Sequence, residues 1–334
     1  MKFRTATPAD GLGVPTRMLL AVAFVALLAI GTSVGVGWGR GSSSLPGIPG
    51  LPEASRQNPG GLPRFASSID GVARPLGVAA AADGRVYVTE GGGARRIRAF
   101  DANGAEDSSF SPPDSAARSW MPMYVAVSPA GDLYVTDAGQ HTVHVLARDG
   151  SFLRDLAPPD GSWNPLGIAF APDGRLLITD VTAGSHRVLV FDTNDALVRQ
   201  FGAEGAGDGE FSFPNAVAVD RQGRVYVSDS NNRRVQVFSA DGTFLSRIGA
   251  PAIRLAAPRG IAVDGEDRLF IVDTVTGAVS VFDVSGSPRR LFEFGDAPGI
   301  AVTTSYPNGL ALGPAGEIYV TDREGDRVQV WLRD

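Results

Sequence analysis

Six copies of one segment follow each other along the chain from Pro75, and their period decides the fold class. Each copy opens on a proline, continues as an apolar run, turns at a glycine and closes a second apolar run on an acid. The copies read PLGVAAAADGRVYVTE (Pro75–Glu90), PMYVAVSPAGDLYVTD (Pro122–Asp137), PLGIAFAPDGRLLITD (Pro165–Asp180), PNAVAVDRQGRVYVSD (Pro214–Asp229), PRGIAVDGEDRLFIVD (Pro258–Asp273) and PNGLALGPAGEIYVTD (Pro307–Asp322). Proline and acid are 15 residues apart in all six, and the copies start 43 to 49 residues apart. A repeat in that range, made of short strands, marks a propeller.

Within a copy, period-two apolar runs alternate with turn signals. In the fourth, Ala216–Val219, Arg224–Ser228, Arg234–Phe238 and Thr243–Gly249 read as four antiparallel strands, one blade. The third strands recur as RIRAF, TVHVL, RVLVF, RVQVF, AVSVF and RVQVW. After Trp331 only Leu332, Arg333 and Asp334 remain, so the sixth blade has no fourth strand of its own. Arg64–Ile69, ahead of the first proline, is expected to supply it and close the ring. The fold expected is all-β: a six-bladed β-propeller of four-stranded antiparallel blades over residues 62–334, closed by an N-terminal outer strand.

The N-terminus has a different composition. The 22 residues Met18–Gly39 carry no charge, enough for a helix to cross a hydrocarbon core of roughly 30 Å. Lys2, Arg4 and Arg17 precede this run and only Arg40 follows closely. The positive side stays in the cytoplasm, which predicts a short cytoplasmic tail (1–17), a single-pass transmembrane helix or signal anchor (18–39) and an extracytoplasmic propeller at the cell membrane. The alternative is secretion after signal cleavage near Ala29-Ile30-Gly31 or Ser33-Val34-Gly35. Residues 40–61, rich in Gly, Ser and Pro, read as a flexible linker. With no cysteine, thiol chemistry and Cys-bound zinc are excluded, and a formal charge of -6 argues against nucleic acid as a partner.

The segment FGAEGAGDGEFSFPNAVAVDRQGRVYVSDSNNRRVQVFSADGTFLSRIG (Phe201–Gly249) resembles an NHL repeat. Phe201, Gly202, Gly205, Gly207, Asp208, Gly209, Phe211 and Pro214 resemble that family's inter-blade linker; Asp229, Asn232, Arg233 and Val235 resemble its second-to-third-strand loop. The resemblance covers roughly residues 62–334 and implies a six-bladed NHL propeller of the membrane-anchored, extracytoplasmic bacterial type. The family includes sensor domains, RNA- and protein-binding modules and relatives of the amidating lyases, so it implies fold more than function.

The six acids closing the copies, Glu90, Asp137, Asp180, Asp229, Asp273 and Asp322, sit at equivalent positions around a ring and cannot converge on one ion; they are expected to cap loops. Of the three histidines, His141 and His186 fall at the repeat position of Arg233, where the family's namesake histidine sits. The lyase relatives are expected to hold zinc with three histidines from separate blades. Here His141 and His144 share a blade, so a metal site would need His141, His186 and an acid to meet near the axis. No HExxH, GxSxG or phosphate-binding glycine loop is present.

The loops between strands two and three share a face with the blade-to-blade linkers. That face gathers Trp120, Met123, Tyr124, Trp163, Asn215, Arg233, Arg259, Tyr306 and Asn308, residue types that dominate binding hot spots. The residues after the opening prolines, Leu76, Met123, Leu166, Asn215, Arg259 and Asn308, are expected to ring the channel mouth, half apolar and half polar. The function expected is a membrane-tethered, non-catalytic binding or scaffold module for a protein, peptide or glycan, with no cofactor. The alternative is a metal-dependent lyase or hydrolase. The aromatics taken singly also fit a core role between blades.

Overall fold

The computed structural model describes residues 61–111, 119–159, 161–249, 253–295 and 304–333. The expected tail, membrane span and nearly all of the linker lie outside the described residues, among which no helix is long and apolar enough to cross a membrane.

The chain enters the ring as β1 (Arg64–Asp70) and then lays down five complete blades. Blade 1 is β2 (Pro75–Ala80), β3 (Val86–Glu90), β4 (Ile97–Phe100) and β5 (Glu106–Phe110). Blade 2 is β6 (Pro122–Val127), β7 (Leu133–Asp137), β8 (Thr142–Leu146) and β9 (Phe152–Leu156). Blade 3 is β10 (Pro165–Phe170), β11 (Leu176–Asp180), β12 (Arg187–Phe191) and β13 (Leu197–Phe201). The next linker forms a two-residue parallel ladder, β14 (Ala203–Glu204) with β15 (Glu210–Phe211), which the sequence pattern does not announce. Blade 4 is β16 (Pro214–Val219), β17 (Val225–Asp229), β18 (Arg234–Phe238) and β19 (Phe244–Gly249). Blade 5 is β20 (Pro258–Val263), β21 (Arg268–Asp273), β22 (Ala278–Asp283) and β23 (Arg289–Gly295). Blade 6 is β24 (Pro307–Leu312), β25 (Glu317–Asp322) and β26 (Arg327–Leu332), with β1 as its outer strand. The ladder from Arg64 opposite Leu332 to Asp70 opposite Arg327 runs one residue beyond the expected closing strand.

Each first strand starts at its proline, which tolerates that position because it has no ladder hydrogen bond to donate there. A bulge follows in every blade, between the proline and the third or fourth residue of the strand. The six first strands face the axis, each packed on the next, and β24 packs on β2 to complete the circle. Second strands are buried apart from the half-buried first residues Arg268 of β21 and Glu317 of β25, whereas fourth strands such as β9 and β13 are largely exposed.

The apolar core is divided. Six clusters each span one blade boundary: Tyr124, Trp163 and Phe191 lie between blades 2 and 3, Tyr87 and Trp120 between 1 and 2, Ile69, Val78 and Val330 between 6 and 1. Burial therefore rewards each pair of neighbours, and every blade needs two.

A hydroxyl bonds most boundaries near the axis. Thr89 Oγ1 accepts from Gly77 N at 2.8 Å within blade 1 and donates to Met123 O of blade 2 at 2.7 Å. Thr136 likewise bonds Leu166 O at 2.8 Å, and Thr321 bonds Leu76 O at 2.9 Å. Blade 5 carries Val272 at this position, and Thr274 reaches Pro307 O instead at 2.7 Å. Ser230 makes the corresponding bond to Pro258 O. Such close contact requires a small residue third in the first strand: a Cβ on Gly77 would lie 2.7 Å from Met123 O.

Candidate binding face

The expected sharing of one face by linkers and second-to-third-strand loops is visible as a repeated bond. In each blade the residue after the closing acid donates its N–H to the residue before the opening proline: Gly91 to Arg74, Ala138 to Met121, Val181 to Asn164, Ser230 to Phe213, Thr274 to Ala257 and Arg323 to Tyr306. The acids complete the brace. Asp137 accepts from the N–H groups of Met121, Gly139 and Gln140, Asp273 from those of Ala256, Ala257, Val275 and Thr276, and Asp322 from those of Ser305 and Tyr306. They cap the linker as well as the loop, and most also pair with a third-strand base: Arg98 on Glu90, Arg187 on Asp180, Arg234 on Asp229, Arg327 on Asp322.

In blade 2 that base is His144, buried with Nε2 3.2 Å from Asp137 and Nδ1 2.6 Å from Asp155. Burial opposes its charge, but hydrogen bonds and attraction from Asp137 and Asp155 outweigh it and raise the pKa. Asp137 is also buried, yet its bonds to His144 and to the backbone hold its pKa below the usual value.

The turn just before the third strand has a left-handed residue in five blades, at Arg95 (two residues ahead of its strand) and at His141, Arg233, Gly277 and Asp326 (one ahead), with φ from 49 to 72°. This position is a turn, which explains why its side chain varies. In blade 3 Gly184 takes positive φ, and His186 does not.

Across the axis, Tyr124 of blade 2 occupies a position where four of the other copies have glycine and blade 4 has Ala216. Its Oη donates to Asn215 Oδ1 of blade 4 at 2.5 Å and accepts from Asn308 Nδ2 of blade 6 at 3.3 Å. Asn308 also donates to Leu76 O at 3.0 Å and accepts from Arg259 Nη1 at 3.0 Å. Arg259 Nη2 reaches Tyr306 Oη at 3.3 Å. Burial pushes the Tyr124 phenol up to about 12, with the Arg259 charge acting against it, so the ring stays neutral and donates. One tyrosine from the apolar half of the channel thus serves the polar half.

The site residues expected from sequence separate into three groups. Trp120 and Trp163, 1% and 2% exposed, are wedges in inter-blade clusters and are almost wholly withdrawn from solvent, Trp163 showing only an edge to a cleft. Tyr124, Asn215 and Asn308 are buried and bonded to one another; they close the channel rather than ring an open mouth. Met123, Arg259 and Tyr306 are half-buried and Arg233 is exposed, and these stay accessible on the face. In the linker before blade 4 it is Phe211 that wedges between blades, while Phe213 is exposed with φ 62°.

The face also carries a grouping of side chains that composition did not reveal. The guanidiniums of Arg259 and Arg323 both lie over the Tyr306 ring, 5.6 and 5.5 Å from its centroid. Elsewhere on it, an open cleft of about 570 Å3 is lined by Gln140, His141, Trp163, Asn164 and Thr182.

A metal near the axis does not fit the residues present. His141 Nδ1 lies 3.3 Å from Asn164 Oδ1, while His186 Nδ1 lies 3.2 Å from Phe211 O and 4.0 Å from Glu204. Among the described residues no three His, Asp or Glu side chains meet in a way that could hold an ion. Tyr124 and the two asparagines fill the axial position such a site would need.

The profile of the virginiamycin B lyase family matches residues 67–328. Among solved structures, a streptogramin B lyase superposes with a TM-score of 0.59 at 16% identity, covering 82% of this chain and 97% of that one. The virginiamycin B lyase of Staphylococcus aureus gives 0.57 at 17%, covering 80% and 97%. A gluconolactonase from Xanthomonas campestris gives 0.61 at 17%, covering 83% and 99%. At these identities the likeness shows the fold alone. Protein lin-41 of Caenorhabditis elegans is 53% identical over 47 residues, 14% of this chain and only 4% of lin-41.

Proposed function

The chain belongs to the virginiamycin B lyase family, and we propose that this member uses its propeller as a non-catalytic binding module. On this reading the blades are of NHL type, residues 18–39 tether them to the cell membrane, and the ligand is a protein, peptide or glycan outside it. The ligand rests on the linker-and-loop face, touching Met123, Arg233, Arg259 and Tyr306. What supports the reading is the pair of guanidiniums held over Tyr306: half-buried arginine and tyrosine, fixed in place, are the residue types that dominate binding energy. Tyr124, Asn215 and Asn308 then act as the floor that holds Arg259 in position.

The second reading, a metal-dependent lyase or hydrolase, draws on membership of a family named for a lyase. It would need ligands other than a His141–His186 pair.

Capture from the native envelope with the immobilised full chain tests the first reading. Recovery of a discrete partner, reduced by Arg259→Gln, is the expected result. No partner with the wild-type chain, together with stoichiometric metal in the purified protein, would transfer the assignment to the second.

A further inference from the structure

We propose that Arg259 and Arg323, braced on Tyr306, form a carboxylate-binding site at the rim of the channel, and that Glu324 is its internal competitor. The inference deepens the binding-module reading by naming the group recognised, and it rests on that reading for the ligand's use of this face.

The two guanidiniums share one ring at 5.6 and 5.5 Å, so they lie within about 11 Å of each other. Their pairing on one ring sets them apart from the arginines that serve the closing acids. Arg96, Arg187, Arg234 and Arg327 each hold the acid of their own blade at 3.1 Å or less. Arg259 bonds only neutral acceptors, Asn308 Oδ1 and Tyr306 Oη, and among the described residues no carboxylate lies within ion-pair distance of it. Among the described residues the one carboxylate within ion-pair distance of Arg323 is Glu324, at 3.8 Å.

Glu324 is itself drawn elsewhere: Arg74 Nη2 holds its Oε1 at 2.9 Å. The nearby Asp326 is occupied by the Arg74 backbone N–H at 2.8 Å, and Asp322 is buried in its cap and paired with Arg327. Arg74 and Arg323 therefore share one half-exposed glutamate, while Arg259 beside them bonds only neutral groups. Burial lowers the pKa of Arg323, and repulsion from Arg74 and Arg259 adds to it against the pull of Glu324. An excess of fixed positive charge in a partly desolvated place favours an incoming anion. Guanidinium forks match carboxylate and phosphate alike in two parallel bonds, so it is the group already resident in the cluster that points to carboxylate. The resident Glu324, on the single turn Arg323–Gly325, shows that a carboxylate reaches this cluster.

The test is calorimetric titration of the full chain at fixed ionic strength. The probes are acetyl-glutamate amide and its isostere acetyl-glutamine amide, with glucuronate and inorganic phosphate as further arms. Acetyl-glutamate amide or glucuronate should bind and the isostere should not; the tighter of the two acids assigns the ligand's source to peptide or glycan. Arg259→Gln or Arg323→Gln should each weaken binding about tenfold or more, the loss of one charge-assisted pair. Glu324→Gln should tighten it, a gain that unfolding cannot imitate. Equal binding of the isostere, preference for phosphate, or weaker binding by Glu324→Gln would overturn the proposal. Carboxylate binding without partner capture would sink the module reading and leave this site standing; capture that survives both arginine variants would do the reverse.

Discussion

Tyr124 and Asn215 meet across the axis of the ring, Oη to Oδ1 at 2.5 Å, although blade 3 lies between their blades and 91 residues separate them in sequence. The bond needs a large residue at a position where the other blades require a small one. Blade 2 accommodates it because its side chain points into the channel and ends on polar partners from blades 4 and 6.

Replacing Tyr124 by Phe should keep the ring's shape and remove its hydroxyl. Asn215 Oδ1 would lose its donor in a buried place, at a cost of about 1–3 kcal/mol. The thermal midpoint is expected to fall by several degrees. A midpoint at or above that of the wild type would show that the network adds nothing to stability.

The closing strand makes a second prediction. Ile69 is buried in the cluster that joins blades 6 and 1, whereas Leu62, just ahead of the strand, is 46% exposed. Ile69→Ala should destabilise the propeller by about 2–4 kcal/mol and Leu62→Ala by under about 0.5 kcal/mol, measured by urea unfolding. Similar losses from both would mean that closure does not depend on this packing.

A third concerns pH. The folded pKa of His144 is raised, so its contribution is complete below its unfolded value of 6.5 and is lost as pH rises through the higher folded value. That of Asp137 is lowered, so its contribution is complete above 3.8 and is lost as pH falls through the lower folded value. Urea midpoints should therefore decline on the alkaline side of pH 6.5, and His144→Gln should flatten that limb. An alkaline decline of the same size in His144→Gln would assign it to other groups.

The blades were legible because their determinants are local. Proline, turn glycine and closing acid recur at fixed spacing, so the strands of blade 4 and the borrowed outer strand could be placed to within one or two residues. The channel was less legible because its contacts join non-adjacent copies. Nothing in the spacing of Tyr124 points to Asn215, although the split into apolar Leu76, Met123 and Leu166 and polar Asn215, Arg259 and Asn308 hinted that the two halves behave differently. Trp120 and Trp163 match the composition of a binding face but stand two residues before their prolines, where the chain passes between blades, and their size suits that gap. The stacking of Arg259 and Arg323 on Tyr306 was not legible because it combines a first strand, a linker and a loop from two blades.

The hydroxyls at the boundaries all donate forward. Thr89, Thr136, Ser230, Thr274 and Thr321 each belong to one blade and give a hydrogen to a carbonyl of the following one, the last returning from blade 6 to blade 1. The circuit has a sense of rotation. A cut at any of these junctions exposes one edge that offers hydrogens and another that receives them, so each edge complements its counterpart and mismatches a copy of itself. Two halves severed there would recognise each other rather than pair like with like.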